Sequence, residues 1–506
     1  MLFNSLGFLL FFLPVVVAGF FWFGRFNQHS AAAWLAAASV FFYGYWDYRY
    51  LVLLGGSILF NYWAGYCIGH ANGSRRRHWL SFAVTVNLGL LAYYKYADFF
   101  IITLNGAADI GIPLLNIALP IGISFFTFTQ IAFLVDTHQG KVKEYRFVHY
   151  VLFVTYFPHL IAGPVLHHRE MMPQFAESRN YSPSGLNFAV GVSIFVIGLA
   201  KKVLIADNIA PIANSVFAAD AHPPLVEAWV GVIAYTLQLY FDFSGYSDMA
   251  IGLSRMFGIR LPLNFNSPYK AANISEFWRR WHMTLSRFLR DYLYVPLGGS
   301  RSGSVVRYRN LMITMLLGGL WHGAGWTFVV WGALHGLYLT INHAWQALVR
   351  GRRWQTGRVY EGGARVITFA AVAFAWVFFR ASDFATAAGV LGGMVGSNGI
   401  LLPEWIKPIA ALLAMVGLEP IFGWSKYVDA FGLAVLSGAI LLAWFAPNTQ
   451  EIFRLYEPCL ERSAEPEDWP RLIWLPTVGW SFVLALLFCT CVLSLSRPSN
   501  FLYFQF

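Results

Sequence analysis

The chain has 506 residues, of which 58% are hydrophobic, 18% are aromatic and only 12% are charged. Soluble domains carry roughly 25% charged residues, so this composition excludes an ordinary soluble protein and indicates an integral membrane protein. The net charge of +10 comes from basic residues scattered between apolar segments. Nucleic-acid binding requires basic residues on one face, so this distribution argues against it.

The N-terminal third predicts a series of membrane spans. The first apolar run, Leu6–Phe23, has no Lys or Arg before it and Arg25 after it, which predicts a retained span with the N-terminus outside. Further spans are predicted near 32–46, 51–69, 79–97 and 114–135. They place Arg25, Arg75–Arg77 and Lys141–Arg146 on one side, which the positive-inside rule makes cytoplasmic.

The remaining apolar segments include several that are too short to cross a membrane alone. The segments near 148–165, 311–321 and 387–396 are predicted to be re-entrant or buried half-spans, which a bilayer tolerates only where protein covers their backbone. The others lie near 185–206, 225–241, 325–345, 365–379, 408–422, 428–446 and 473–495. The fold class predicted from this pattern is all-α and polytopic.

The stretch Leu237–Gly252, "LQLYFDFSGYSDMAIG", places polar side chains between two apolar runs: Asp242, Ser244, Tyr246, Ser247 and Asp248. Two carboxylates in such a place are typical of ion ligands or proton carriers in a transporter. The same residues are also typical of a helix break capped by a serine. The sequence leaves both interpretations open.

The stretch Asn273–Gly299 predicts an amphipathic helix lying in the membrane interface. Asn273 and Glu276 form a capping-box pattern, and apolar residues recur at helical spacing. Four arginines fall on or beside the polar remainder, where they could contact anionic head groups or a phosphate-bearing donor: Arg279, Arg280, Arg287 and Arg290. Ser254–Asn310 contains ten Lys or Arg against two acidic residues, which predicts a cytoplasmic location.

Histidines in the apolar part of the chain are the candidates for catalysis. His322 lies twelve residues beyond Asn310, or about 18 Å along a helix, at mid-membrane depth. Glycines flank it, and they permit a helix break or close backbone approach. His282 lies at the edge of the amphipathic face, whereas His335 and His343 are interpreted as structural. A neutral imidazole can deprotonate a hydroxyl for attack on an acyl carbon.

Other catalytic chemistries have no support in the sequence. There is no HExxH, GxSxG or phosphate-binding glycine loop. The four cysteines form no CxxC pair: Cys67, Cys459, Cys489 and Cys491. We therefore predict no metal, no bound cofactor and no disulfide framework.

The chain resembles the membrane-bound O-acyltransferase family, in its bacterial exopolysaccharide-acetylating branch. The matched stretches cover most of the chain: Leu119–Gly140, Phe157–Val165, Leu237–Gly252, Asn264–Gly299 and Arg309–Gly336. The resemblance implies that His322 is the catalytic histidine and His282 the second active-site histidine. It also implies a single membrane domain over 1–506, with a catalytic core at about 114–345 and a ring of helices around a tunnel. Tunnel or substrate-contacting candidates are Asp242, Ser244, Tyr246, Asp248, Asn266, Trp278, Arg279, Arg280 and Trp321.

The resemblance further implies the substrates and partners. The donor is a cytoplasmic thioester, acetyl-CoA above all. The acetyl group passes across the bacterial inner membrane, among membrane lipids, to a periplasmic SGNH-like acetyltransferase, which acetylates alginate or cellulose. The sequence departs from the alginate subunits at Ala446–Pro470 and in the last ten residues, which leaves the polymer open. A transporter or lipid flippase that uses Asp242 and Asp248, and a non-catalytic scaffold, are the competing interpretations.

Overall fold

The computed structural model describes the chain except residues 143–145, 220, 302, 350, 352–356, 403, 416–420, 424, 426–428, 462–471, 496–501 and 503–506. The described residues are overwhelmingly helical, as the composition predicts; their only strands are Leu401–Leu402 and Ile421–Phe422, which pair in parallel. Parts of the basic loop before Arg146, of the apolar segment at 408–422 and of Ala446–Pro470 lie outside the described residues, as does nearly all of the C-terminal tail.

The α-helices are numbered in chain order. They are α1 (Leu13–Gly24), α2 (Gln28–Gly44), α3 (Tyr50–His70), α4 (Ser74–Leu91), α5 (Ala97–Ala108), α6 (Ile123–His138), α7 (Phe147–Thr155), α8 (His168–Ala176), α9 (Gly185–Ala200), α10 (Asp207–Val216), α11 (Leu225–Met256), α12 (Ile274–Arg280), α13 (Met283–Leu289), α14 (Ser304–His322), α15 (Trp326–Val349), α16 (Arg358–Arg380), α17 (Phe384–Met394), α18 (Ala410–Met415), α19 (Ala430–Phe445), α20 (Thr449–Ile452) and α21 (Val478–Ser494).

Five-residue or six-residue π-helical turns interrupt or extend several of these helices. They are Phe8–Phe12, Ala92–Tyr96, Lys201–Ala206 and Arg290–Tyr294. Short 3-10 turns occur at Ser178–Tyr181, Pro268–Lys270, Glu404–Ile409 and Arg454–Tyr456. A π-turn rotates the residues that follow it relative to a regular helix, and such turns are frequent at functional sites.

Within the described ranges of the chain, three helical stretches are long and apolar enough to cross a membrane: Tyr50–His70, Gly185–Val216 and Arg358–Arg380. Shorter apolar helices lie at Phe8–Gly24, Phe384–Met394, Ala430–Phe445 and Val478–Ser494. Many large apolar side chains on these helices remain exposed, including Val52, Ile367 and Phe482. Such exposure is costly in water but favourable in lipid, so it agrees with a membrane-embedded domain.

The predicted span near 114–135 and the predicted half-span near 148–165 contain shorter helices than the sequence pattern suggested. The span near 114–135 begins only at Ile123, because Gly122 adopts a left-handed conformation immediately before α6. The segment near 148–165 is helical only to Thr155, since Pro158 and Pro164 interrupt the helical pattern that would otherwise continue. The chain around these breaks is buried at Tyr156–Leu166 and exposed over most of 109–119.

Of the two interpretations of Leu237–Gly252, the helix break is wrong, because α11 runs without interruption from Leu225 to Met256. The glycines of α11 allow close packing against α9 instead. A Cβ on Gly245 would lie 2.7 Å from the carbonyl oxygen of Gly198, and one on Gly198 would lie 2.6 Å from that of Gly245. Gly191 and Gly252 form the same reciprocal contact. Small residues at such an interface let membrane helices approach closely.

The predicted single amphipathic helix is also wrong in detail, because it is broken into α12 and α13. His282 separates the two helices with φ 42° and ψ 52°, which is a left-handed conformation. A non-glycine residue rarely adopts this conformation, and where one does the surrounding structure must hold it in place. The break turns His282 from the edge of an interfacial helix into the protein interior, where it is fully buried.

The apolar segment near 311–321 is the second half of a longer helix. The helix α14 begins at Ser304 and ends at His322, so it is about 28 Å long. It packs against α15 through glycines: a Cβ on Gly332 or Gly336 would collide with Met315 or Met312 of α14. The two helices form a tight antiparallel hairpin that presents His322 at its turn.

Candidate active site

His322 is the last residue of α14, and Gly323 follows it in extended conformation. Its ring lies among the rings of Trp321, Trp331 and Phe379, with centroid distances of 4.9, 5.3 and 5.2 Å. The side chain is only 8% exposed. A histidine at a helix end inside an aromatic cage has few available rotamers, so its ring orientation is well defined.

His282 lies beside His322, with ring centroids 6.3 Å apart and ring planes inclined by 58°. The structure thus brings together the two histidines that the sequence analysis selected, although α13 and most of α14 separate them along the chain. Phe243 of α11 packs edge-on against His282 at 4.8 Å. Their catalytic roles stay predictions that the geometry is compatible with.

Asn264 determines which nitrogen of His282 can accept a proton. Its side-chain oxygen lies 3.0 Å from Nδ1 of His282 and also accepts from the hydroxyl of Thr284 at 2.9 Å and its backbone N–H at 3.4 Å. Because an amide oxygen only accepts, Nδ1 of His282 must donate to it. Neutral His282 therefore carries its lone pair on Nε2, which has no hydrogen-bond partner among the described residues.

The side chain of Thr284 completes this arrangement. Its hydroxyl accepts from the backbone N–H of Val165, at 2.9 Å, while donating to Asn264. The interaction links the buried segment after α7 to the start of α13. A base held by an orienting acceptor, which is itself held by further hydrogen bonds, is the arrangement that proton-transferring histidines need. The sequence analysis missed Asn264 and Thr284, because only folding brings them to His282.

Lys95 and Tyr96 cap the end of α14 at His322. The ammonium group of Lys95 lies 2.5 Å from the carbonyl oxygen of Trp321 and 3.2 Å from that of His322. The hydroxyl of Tyr96 donates to the carbonyl oxygen of Leu320 at 2.9 Å. The sequence analysis also missed this pair, although a lysine in the apolar stretch "LLAYYKYADFF" was a readable signal.

A cavity of about 100 Å³ opens beside His322. Its lining is formed by Lys95, Leu119, Pro120, Ile121, Gly122, Ile123, Ser124, Phe125, Ile161, Trp321 and His322. The volume corresponds to about three water molecules of liquid. A larger groove of about 680 Å³ lies between α3 and α4 and includes neither histidine. The smaller cavity is therefore the space in which a reacting group could meet His322.

Of the two tryptophan candidates, Trp321 packs beside His282 and His322, whereas Trp278 packs against His335. Trp321 stacks on Phe128 at 5.3 Å and lies 6.4 Å from the ring of His282. Trp278 donates its indole N–H to Nδ1 of His335 at 3.3 Å, and His335 is fully buried. His343 is half-buried and contacts Tyr308. The hydrogen bond to His335 agrees with a structural role for that residue.

Asp242 and Asp248 form buried ion pairs on α11. Lys202 lies 2.7 Å from Asp242, and Lys201 lies 2.6 Å from Asp248. Asp248 also accepts from Thr449 at 2.6 Å, and Asp242 from the backbone N–H of Leu502 at 3.1 Å. No cluster of three potential metal-binding side chains occurs in the part of the chain that the structure describes. Both carboxylates therefore pair with lysines before α10 and accept hydrogen bonds from later segments of the chain, while their roles as ion ligands, proton carriers or substrate contacts stay predictions.

The remaining candidates on α11 and nearby contact segments other than the one that bears His322. Ser244 and Asp248 border a void of about 10 Å³, which has room for one water molecule at most. Tyr246 is buried and stacks on Phe3 at 4.7 Å. Asn266 accepts from Asn448 at 2.8 Å. These residues connect α11 with the N-terminus and the segment after α19.

The arginines of α12 and α13 are mostly paired with carboxylates. Arg280 lies 2.7 Å from Glu276, and Arg290 lies 2.8 Å from Asp291. Arg287 contacts both oxygens of Glu170, at 2.8 and 2.9 Å. Arg279 is exposed. This pairing leaves Arg279 as the best-placed member of the group for an anionic substrate or lipid.

Comparison with known proteins identifies the family of this chain. The sequence model described as "MBOAT, membrane-bound O-acyltransferase family" matches residues 81–379. The chain is 40% identical to the "Peptidoglycan O-acetyltransferase" of Helicobacter pylori, covering all of this chain and 98% of that protein. It is 39% identical to the "Probable alginate O-acetylase AlgI" of Pseudomonas aeruginosa over the full length of both. A "Teichoic acid D-alanyltransferase" of Streptococcus thermophilus is 29% identical over 48% of this chain and 60% of its own length.

The chain therefore belongs to the membrane-bound O-acyltransferase family, and it is an acyltransferase with an all-α, membrane-embedded fold. The peptidoglycan relative adds an acceptor class that the sequence analysis did not name.

Proposed function

We propose that this acyltransferase takes acetyl from a cytoplasmic thioester, acetyl-CoA, and delivers it through the bacterial inner membrane for O-acetylation of an envelope polysaccharide. The names of its full-length relatives support the acetyl group and the polysaccharide class, because they specify peptidoglycan and alginate O-acetylation. The polymer belongs to one of those classes or to cellulose. This multi-pass chain supplies the membrane step.

One observation carries the proposal: His282 and His322 are buried side by side, and a small cavity reaches His322. Two buried imidazoles with a defined tautomer on one of them are suited to proton transfer. Nδ1 of His282 is paired with Asn264, whereas Nε2 of His282 has no hydrogen-bond partner among the described residues. That nitrogen is available to a substrate or to a bound water.

The reaction requires one proton to move in and out of the site. An imidazole, His322 in our proposal, takes the proton from the acceptor hydroxyl as its oxygen attacks the thioester carbonyl carbon. The tetrahedral intermediate collapses, the carbon–sulfur bond breaks, and the leaving thiolate receives the proton from the imidazolium. An oxygen ester and a free thiol result. His282 orients the reacting groups, and it is itself oriented by Asn264. A thioester is reactive enough for this chemistry without a metal ion.

The charges and the cavity suggest that donor and acceptor approach from opposite faces. The connection Ser254–Asn310 is rich in arginine and lysine, which suits a polyanionic donor on the cytoplasmic side. The cavity at His322 lies by the N-terminal end of α6. At the other end of that helix, the side chain of Arg76 donates to the carbonyl oxygen of Thr137 at 2.7 Å. Because Arg76 belongs to the basic triplet assigned to the cytoplasm, the cavity opens toward the periplasm.

The size of the cavity favours an indirect route to the polysaccharide. A space of about 100 Å³ suits an acetyl group and a narrow hydroxyl-bearing group better than a hydrated polymer chain. We therefore include a separate periplasmic acetyltransferase as the partner that receives acetyl and modifies the polymer. The competing transporter interpretation loses its main support, because Asp242 and Asp248 are occupied by Lys202 and Lys201.

Reconstitution in vesicles tests the proposal. Labelled acetyl-CoA is supplied on the side that bears Ser254–Asn310, and the periplasmic partner enzyme with its polymer is placed on the other side. We expect label on the far side with wild-type protein and none with His322→Ala. Label that reaches the acceptor only when donor and acceptor share a side would contradict the trans-membrane delivery.

A further inference from the structure

We propose that Lys95 is a positioning residue of the acyltransferase, and that it holds the end of α14 so that His322 faces the reaction cavity. This inference rests on the function proposed above. It assigns a role to a residue outside both histidine-bearing segments, and the role follows from the contacts of its ammonium group.

The first step is the unsatisfied end of α14. The last carbonyl groups of any helix have no partner within the helix, and inside a protein they need one from elsewhere. His322 is the terminal residue, so fraying of the last turn would move the imidazole itself. Gly323 and Gly325 follow it and provide little local restraint.

The second step is the source of the missing partners. Lys95 contacts the carbonyl oxygens of Trp321 and His322, and Tyr96 donates to that of Leu320. Three successive carbonyl groups are thus satisfied by two adjacent residues. Both residues belong to the π-helical turn Ala92–Tyr96, which redirects the chain between α4 and α5. The third contact of the Lys95 ammonium group is the hydroxyl of Ser124 at 3.4 Å.

The third step is the charge of Lys95. Its ammonium group forms no ion pair with any carboxylate in the described ranges of the chain: its three hydrogen bonds go to neutral oxygen atoms, and it also lies 5.9 Å from the ring centre of Trp321. A cation is favoured at a helix C-terminus, where the carbonyl dipoles point at it. Lys95 also lies in the wall of the cavity that reaches His322. A lysine serving only to join two helices would not need to line the space where the reaction occurs.

The test is a series of substitutions at Lys95, measured as initial rates per folded molecule of purified protein. Lys95→Met removes the charge and the donors at similar length, Lys95→Gln keeps a donor without charge, and Lys95→Arg keeps both. Because misplacing a reacting group by about 1 Å can cost a hundredfold in rate, we expect Lys95→Met to lower kcat by about 10-fold to 100-fold. The KM for acetyl-CoA should stay unchanged, and the order of kcat should be Lys, Arg, Gln, Met.

Lys407→Met is the matched control, because Lys407 is exposed on the turn Glu404–Ile409. A kcat for Lys95→Met within about threefold of wild type would overturn the positioning role. If Lys95→Met does not fold, the Arg and Gln variants decide, and a kcat for Gln equal to that for Arg overturns it. Wild type and His322→Ala are measured in parallel: an inactive wild type counts against the proposed function, whereas an active wild type with an active Lys95→Met counts only against Lys95.

Discussion

The side-chain oxygen of Asn264 lies 3.0 Å from Nδ1 of His282, and this contact leaves Nε2 as the proton-accepting nitrogen. Three donors converge on the same oxygen, two of them from Thr284. His282, which separates α12 from α13, therefore has a left-handed backbone conformation and a ring that Asn264 holds in position.

We expect Asn264→Ala to reduce the acetyl-transfer rate, because it removes the acceptor that orients His282. The loss should be smaller than that for His282→Ala, and the two losses should not add, since both act through one imidazole. Rates of the two single variants and of the double variant give the coupling. Additive losses would show that Asn264 acts independently of His282.

His322→Ala should lower the transfer rate by about 10²-fold to 10⁴-fold or more, which is the usual contribution of a general base. The protein should still fold and insert, because a smaller side chain at a helix end preserves the backbone contacts of Lys95 and Tyr96. His29→Ala, at an exposed position near the start of α2, is the matched control. Near-normal turnover by well-folded His322→Ala protein would remove His322 from the mechanism.

Lys202→Met should destabilise the protein, because it leaves the buried carboxylate of Asp242 without its cation. Removing one partner of a buried ion pair typically costs about 3–5 kcal/mol. Lys202→Met combined with Asp242→Asn should cost less than the sum of the two single changes. Thermal unfolding in detergent measures all three variants. A double variant as unstable as the sum would mean that the two groups do not stabilise each other.

Gly245→Ala should destabilise the contact between α9 and α11 by about 1–3 kcal/mol, because the added methyl group meets the carbonyl oxygen of Gly198. Gly438→Ala in α19 is the matched control, since a Cβ there meets nothing within 4 Å. The control should be neutral or stabilising by up to about 1 kcal/mol. Equal unfolding temperatures for the two variants would contradict the close approach of α9 and α11.

Cysteines introduced on the two faces should differ in labelling from outside intact cells. In a background lacking Cys67, Cys459, Cys489 and Cys491, Ser304→Cys should resist an impermeant thiol reagent, whereas Ala108→Cys should react. Both positions are exposed, so the side of the membrane on which each cysteine lies decides whether it is labelled. Labelling of Ser304→Cys from outside would invert the proposed topology and place the arginine-rich connection in the periplasm.

Some elements of the site could be predicted from the sequence, and others could not. His322 could be selected from its depth in an apolar segment and from the glycines around it, because both are local properties. The interruption of the helix at His282 could not, since a capping signal and helical spacing predict a continuous helix across Trp281–Met283. The left-handed conformation is held by tertiary contacts with Asn264 and Phe243, which local propensity does not contain.

At α11, by contrast, the sequence allows a helix break that the structure does not contain. Serines, glycines and aspartates in Leu237–Gly252 are typical of a helix break, yet the helix continues, because α9 provides matching glycines and the adjacent Lys201 and Lys202 provide the countercharges. Polar residues within an apolar segment indicate that their side chains need partners. They do not indicate whether those partners are ions, substrates or side chains from another helix.

Composition and hydropathy by themselves determined that this chain is a helical membrane protein, because burying so much apolar surface outside lipid is impossible for a chain with so few charges. Matched stretches of sequence indicated its family, because long matched strings are far more specific than any single histidine, and the family model over residues 81–379 confirms it. Only the tertiary structure showed that Lys95 and Asn264 adjoin the two histidines, since these four residues come from four separate segments. Their meeting depends on how helices pack, and packing depends on contacts between residues that are distant in the chain.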